Sequence, residues 1–340
     1  MHPSPAASPS DASPAARHGA ARADTATPSH AAIWSALVKA RLSALVLLTT
    51  AVGFAVAPLP EEAPFPWTRF AWTCVGTGLA AAAAAMLNQL FEIRRDARMT
   101  RTAGRPLPAG HARPATVLVV GALAAYGGFA VLAGMVNLLA AGLALGNVLV
   151  YVLLYTPLKP RTTFNTLVGA VTGAVPPVIG WAGAVGRVDA GAWALFAILF
   201  VWQIPHFLAL AWMYREDYAR GGFAMLPSVD AEGTATGQAC LLSSLLLVPV
   251  GLLATLTGVA GYAYAGSAVC LGLGMAWLAW RFLARREHGE ARRLFLASLA
   301  YLPILLAAML LDRGSVVPVA VPAGRGTVIE MPAAPARSEP

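Results

Sequence analysis

Charge is what this sequence has least of. Only 12% of its 340 residues are Asp, Glu, Lys or Arg, against 58% that are hydrophobic, and the mean hydropathy is +0.64. A soluble domain of ordinary composition carries about 25% charged residues, so a water-soluble globular chain is excluded. Cysteine is scarce as well. Cys74, Cys240 and Cys270 are odd in number, lie in apolar runs and form no CxxC pair. That excludes a disulfide framework or a zinc site and leaves them as small packing residues. No GxGxxG, Walker, GxSxG or HExxH pattern occurs, which removes the usual nucleotide-binding, hydrolase and metalloprotease signatures. The formal charge of +8 therefore points to basic cytoplasmic loops, anionic ligands or lipid headgroups rather than to nucleic acid.

What the chain does have is apolar runs of membrane-spanning length, over roughly residues 33–57, 70–91, 115–136, 138–158, 164–185, 190–214, 238–258, 262–283 and 293–311. The expected fold is all-α: a polytopic membrane protein of about nine transmembrane helices around a central cavity. Residues 1–31 read as a disordered cytoplasmic tail, 32–311 as the membrane domain and 312–340 as a second, Pro/Ala-rich disordered tail. The N-terminal stretch has no apolar core, so it does not read as a cleaved signal peptide, and Asp11 and Asp24 argue against a mitochondrial transit peptide. Charge sits on alternate connections: Arg94 to Arg113, Lys159 with Arg161, Arg215 to Arg220, and Arg281 to Arg293. The positive-inside rule places these and the N-terminus in the cytoplasm and, with an odd helix count, the C-terminus outside. A bacterial inner membrane is the expected location, with the mitochondrial inner membrane the weaker alternative.

Three runs are not plain spans. The first opens with Lys39 and Arg41, which can snorkel to headgroups. The fifth contains Pro176-Pro177 among glycines, and the sixth Gln203-Ile204-Pro205-His206. Broken backbone at membrane depth is expected in both, and it is tolerated only against protein or a polar cavity.

Chemistry concentrates in three stretches. Asn88, Glu92 and Asp96 are spaced i, i+4, i+8, so on a helix they drift only about 80° and share one face. Residues 91–113 also hold six arginines, Arg101 and Arg105 among them, against two acids. Oxygen donors on one face suit Mg2+, and arginines beside them suit diphosphate oxygens. The bland alternative is an ordinary basic loop with surface ion pairs. The second stretch, Tyr155 to Asn165, brings Lys159 and Arg161 to the same side, with Thr162 and Asn165 as neutral contacts at a helix start. The third holds Gln203 and His206 in an apolar helix, then Tyr214 and Asp217 at its cytoplasmic end. A lone histidine there is ordinarily a hydrogen-bonded core residue. Beside Gln203, Pro205 and aromatic residues it can instead face a cavity and touch a large flat substrate or an iron.

Taken together, these stretches resemble the intramembrane prenyltransferases, which move a polyprenyl chain from its diphosphate to an acceptor, over about residues 34–311. The run Trp202-Gln203-Ile204-Pro205-His206-Phe207, with Met225-Leu226-Pro227, resembles the heme-farnesylating branch of that superfamily. The resemblance implies Mg2+ and farnesyl diphosphate at the cytoplasmic mouth, with heme B as acceptor and heme O as product. It assigns Asn88, Glu92 and Asp96 to the metal and, with Lys159, to catalysis. Arg101, Arg105, Arg161, Asn165, Gln203, His206, Tyr214 and Asp217 then contact substrates, and Trp202 or Trp212 can shelter a prenyl cation. Membrane lipids are implied partners, as are a heme A synthase or oxidase assembly factors; nucleic acid is not. There are departures from the pattern. Arg94 stands where many relatives carry a carboxylate, Pro160 where a basic residue is common, and the second aspartate pair is reduced to Asp217 between Tyr214 and Tyr218. The alternatives are an aromatic-acceptor polyprenyltransferase of quinone biosynthesis and, with less support, a prenyl or heme transporter.

Overall fold

The structure is a computed structural model that describes residues 28–60 and 62–313. Nearly all of both expected tails, residues 1–27 and 314–340, lies outside the described residues. The rest is helical, with no strand among the described residues: α1 (His30–Leu37), α2 (Ala40–Val56), α3 (Trp67–Asp96), α4 (Pro114–Met135), α5 (Leu138–Leu149), a π-helical turn (Val150–Tyr155), α6 (Thr156–Leu158), α7 (Asn165–Val185), α8 (Ala190–Met213), α9 (Arg215–Arg220), α10 (Leu226–Val229), α11 (Thr234–Leu256), α12 (Tyr262–Arg285) and α13 (His288–Leu311). Eight helices are long and apolar enough to cross a membrane, counting Leu138–Leu158 as one span. The pair α1 and α2, bent by 50°, makes up to nine. Leu42, Leu123, Leu153, Leu242 and Leu311 stand exposed on the outside, as a lipid-facing surface requires.

The expected breaks are not where the sequence suggested. α7 runs unbroken through Pro176 and Pro177, and α8 through Pro205. A proline removes one backbone donor, and helices packed around it hold the turn together. α7 is the most enclosed of the candidate spans, 72% of its apolar stretch being buried inside the bundle. The irregular backbone lies instead at the α1–α2 bend and in the π-helical turn after α5. At the bend, Lys39 has a left-handed backbone, φ 49°, a conformation that costs a non-glycine residue roughly 1–2 kcal/mol.

Small residues set the central crossing of α2 and α7. A methyl group at Gly53 would collide with the Pro177 carbonyl, and one at Gly180 with the Thr50 carbonyl. The two backbones therefore touch directly, as small-residue packing in membranes allows. The main apolar core gathers around α7 and α8, with Trp181, Leu195, Ile198 and Leu199 buried against Tyr264, Phe282 and Tyr301.

The four basic connections converge at one end of the bundle. The Ala224 N–H donates to the Lys159 carbonyl at 2.8 Å, Asn165 Nδ2 donates to the Ala224 carbonyl at 2.9 Å, and Arg286 Nη1 donates to Thr234 Oγ1 at 2.8 Å. Met99, Phe223 and Met225 pack beneath them with Ala211. Met225, part of the Met-Leu-Pro signature, is thus a scaffold residue that seats the loops. At the opposite end, Asn137 caps α5 through the Ala140 N–H and donates from Nδ2 to the Ala182 carbonyl.

Candidate active site

The α3 face is as the spacing required. Asn88, Glu92 and Asp96 are all buried, none more than 4% exposed, at the basic end of the bundle. α3 continues to Asp96, beyond the apolar run, because Glu92 and Asp96 each meet a cation as the helix leaves its apolar environment. Lys159 Nζ donates to Glu92 Oε1 at 2.8 Å, and Arg105 Nη1 donates to Asp96 Oδ2 at 2.7 Å. Lys39 Nζ donates to Asn88 Oδ1 at 2.9 Å. Asn88 Nδ2 in turn donates to Thr156 Oγ1 at 3.1 Å, and Thr156 Oγ1 to the Tyr151 carbonyl. The π-helical turn therefore supplies the surface on which Asn88 is oriented, a common place for that distortion to appear.

Lys39 is the residue that sequence reasoning missed. Read as snorkelling to headgroups, it is instead turned inward by the left-handed backbone at the bend. A signal was present: the chain has only two lysines against 22 arginines, and both deliver their ammonium groups to this one face. A compact, rotatable ammonium fits a buried slot that a planar guanidinium does not. Lys159 also lies over the Tyr155 ring at 4.7 Å. Burial opposes its charge, but Glu92, Tyr155 and Tyr151 outweigh it and hold its pKa above the ordinary lysine range.

The remaining expected residues fall into four places. Arg161 lines a cavity of 310 Å3 with Glu92, Arg95, Thr156 and Phe223. Asn165 Nδ2 bonds the Thr162 and Ala224 carbonyls, while its buried Oδ1 has no protein partner. Arg101 and Tyr214 line a separate opening of 690 Å3 together with Arg215 and His288. There the Arg101 guanidinium sits 5.1 Å from the Tyr214 ring and 5.6 Å from that of Tyr218.

Asp217, half of the reduced second motif, is committed to the backbone. It accepts from the Thr100 N–H at 2.8 Å and the Arg101 N–H at 3.1 Å, and from Arg220. Burial opposes its charge, yet the Arg220 guanidinium and the two N–H groups lower its pKa to about 2. Its carboxylate clasps the start of the 97–113 connection and so fixes where Arg101 and Arg105 stand.

Gln203 and His206 lie deeper, along an apolar groove between α2, α8 and α13 with Thr49, Trp202 and Phe207. Gln203 is buried, bonds the Leu199 carbonyl at 3.0 Å, and occupies the space that any side chain at Gly173 would need. Of the two tryptophans considered for sheltering a cation, only Trp202 lines this groove. Trp212 is buried elsewhere with Arg215 stacked 4.4 Å from its ring. Among the described residues, no three His, Cys, Asp or Glu side chains are grouped so that they alone could hold a metal ion.

A buried amide–carboxylate face ringed by lysine and arginine, at one end of a helical bundle, has the chemistry to take up a polyanion together with a cation. The comparisons agree in class: residues 46–307 match the UbiA prenyltransferase family, and the chain belongs to that family. It is 42% identical over 284 residues to the protoheme IX farnesyltransferase of Solibacter usitatus, a match covering 82% of this chain and 97% of the relative. To the protoheme IX farnesyltransferase of Salinibacter ruber it is 43% identical, over 82% and 99% of the two chains. Among solved structures, a digeranylgeranylglyceryl phosphate synthase superposes with a TM-score of 0.70 at 14% identity, covering 84% and 98% of the chains. A UbiA homologue from Archaeoglobus fulgidus bound to DMAPP and Mg2+ does so with 0.62 at 14% identity, over 82% and 99%. These two likenesses establish the fold, an intramembrane bundle of the prenyltransferase kind.

Proposed function

We propose that this chain transfers the farnesyl group of farnesyl diphosphate to a vinyl group of heme B, giving heme O. The observation that carries the prenyl-donor half is the α3 face, where two buried carboxylates and an amide are each held by a cation from another part of the chain. The acceptor half rests on the relatives' names and on the apolar groove that presents Gln203 and His206.

The residues present fit Mg2+. Their donor set is all oxygen, two carboxylates and an amide, and both carboxylates are already paired with positive charge, so the site is built to hold cations. Asn88, Glu92 and Asp96 would hold the ion, which when bound supplies positive charge to the diphosphate leaving group. Lys39, Lys159 and Arg105 then turn from the α3 face to the diphosphate oxygens, and Arg161 reaches them from the adjoining cavity. As the allylic C1–O bond breaks, the electron pair leaves with the diphosphate, and these fixed cations stabilise the charge where it develops. The vinyl carbon of the acceptor bonds to C1. Water adds to the resulting cation beside the porphyrin and loses a proton, which completes the hydroxyethylfarnesyl group. The Trp202 ring lines the groove that presents the acceptor. Burial of the 15-carbon tail in apolar surroundings is worth about 0.8 kcal/mol per CH2.

The basic end faces the cytoplasm of a bacterial inner membrane in this reading, on the loop charge asymmetry. The test is to incubate membranes holding the chain with heme B, farnesyl diphosphate and Mg2+ and to identify the heme product by mass. Farnesylated heme that vanishes on chelation of the metal is expected. Transfer to a phenolic acid, with heme untouched, would overturn the choice of acceptor.

A further inference from the structure

One buried carboxylate holds three arginines where the chain turns between α12 and α13. Arg281 Nη2, Arg285 Nη1 and Arg293 Nη1 donate to the same oxygen, Glu290 Oε1, at 2.8, 3.0 and 2.7 Å. The other oxygen, Oε2, is buried without a hydrogen-bond partner, and so is Arg281 Nε. A plain tie between two helices needs a single guanidinium, seated bidentately on both oxygens. Here three donors crowd an atom with two lone pairs, and three positive charges meet one negative. Guanidiniums that share one oxygen repel one another at close range. Glu290 gathers them but cannot neutralise them. The rest of the turn adds to the excess, since residues 281–293 hold five arginines against Glu287 and Glu290.

The surplus charge is displayed outward. The Glu290 side chain is 2% exposed, whereas those of Arg285 and Arg293 are 56% and 58% exposed, so each guanidinium presents donors that Glu290 leaves free. The level is that of a membrane surface. Trp277 and Trp280 stand exposed on α12 just before the arginines, and indole rings collect where hydrocarbon meets headgroups. Arg281 lies 4.9 Å from the Trp277 ring. Leu273, Trp277 and Trp280 fall within about 60° of one another on their helix, and Leu296 and Ile304 of α13 are exposed as well. A cluster of cations set above an apolar surface matches an amphiphile with an anionic head. We infer that Arg281, Arg285 and Arg293, gathered by Glu290, bind the headgroup phosphate of an anionic phospholipid whose acyl chains run along α12 and α13. Free phosphate would answer the charge but leave the tryptophan-edged stripe unused.

The test is native mass spectrometry of the full-length chain in detergent, titrated with phosphatidylglycerol, phosphatidylcholine or glycerol phosphate. Phosphatidylglycerol is expected to fill one saturable site about 10- to 30-fold more tightly than phosphatidylcholine, and glycerol phosphate to bind only weakly. Arg285→Ala combined with Arg293→Ala should abolish that preference. Arg113→Ala, which removes an exposed arginine at the same end of the bundle, should leave it unchanged. Equal binding of the two phospholipids by the wild type, or a preference that survives the double substitution, overturns the site. Glycerol phosphate binding as tightly as phosphatidylglycerol overturns the lipid as occupant. Glu290→Gln supplies a second readout, thermal melting in vesicles. Without the carboxylate the three guanidiniums depend on the headgroup alone. The variant should therefore melt well below the wild type in phosphatidylcholine and recover most of that loss in phosphatidylglycerol. An equal loss in both lipids overturns the headgroup as their counter-ion and leaves the cluster a tie between two helices.

Discussion

Lys159 and Glu92 meet at 2.8 Å across 67 residues of sequence, with side chains 15% and 5% exposed. So enclosed a pair carries a charge-assisted hydrogen bond, and removal of one partner strands the other. Glu92→Gln and Asp96→Asn keep shape while removing charge, and each should lower farnesyl transfer by about two to three orders of magnitude. Expression and membrane insertion should stay intact. Product mass spectrometry on equal amounts of folded protein checks this, and full activity in the double variant would sink the metal-site assignment.

Lys39 offers a separable test because its backbone and its ammonium pull in opposite directions. Lys39→Gly removes left-handed strain worth roughly 1–2 kcal/mol along with the bond to Asn88. We expect a melting temperature no lower than that of the wild type, yet a loss of prenyl transfer of about two orders of magnitude. Melting and turnover falling in parallel would mean that Lys39 is only a structural tie.

Asp217 predicts an acid response of definite sign. Its pKa is lowered from 3.8 to about 2 in the folded chain. The charged form therefore adds stability that is complete above pH 4 and is lost as pH falls towards 2. Limited proteolysis of the 97–113 connection should increase across that window in the wild type. Asp217→Asn, which cannot accept at both positions, should be cut more readily at neutral pH and show little further change on acidification.

The α2–α7 crossing predicts a contrast between two glycines. Gly53→Ala drives a methyl into the Pro177 carbonyl and should destabilise the bundle by about 1–3 kcal/mol or more. Gly142→Ala, with nothing within 4 Å of the new methyl, should be neutral. Thermal unfolding in detergent distinguishes them.

Gly173→Ala would meet the Gln203 side chain rather than backbone. Its expected effect is on the KM for the heme acceptor, with the KM for farnesyl diphosphate unchanged. Equal shifts in both would detach Gln203 from the acceptor.

Sequence alone gave the α3 face in full, because Asn88, Glu92 and Asp96 lie on one helix and periodicity determines which residues share a side. The span count was readable for the same reason: apolar length is a local property. What pairs with that face was less legible. Lys39 reaches it only through a left-handed residue at a bend, and nothing local in Val38-Lys39-Ala40 marks one. The prolines misled in the other direction. Pro176-Pro177 and Pro205 reduce helix propensity locally, but close packing of α2, α7 and α8 overrides it.

The three cations at the α3 face enter the chain at widely separated moments. During synthesis Lys39 is made first, Arg105 follows soon after α3, and Lys159 is added only after α4, α5 and α6. Until then Glu92 waits at the bilayer edge without its ammonium partner, in a place where an unpaired carboxylate is costly. Before residue 159 the face already balances its two carboxylates with Lys39 and Arg105 and lacks only the bond to Glu92; Lys159 closes that bond and leaves the finished face with one positive charge in excess.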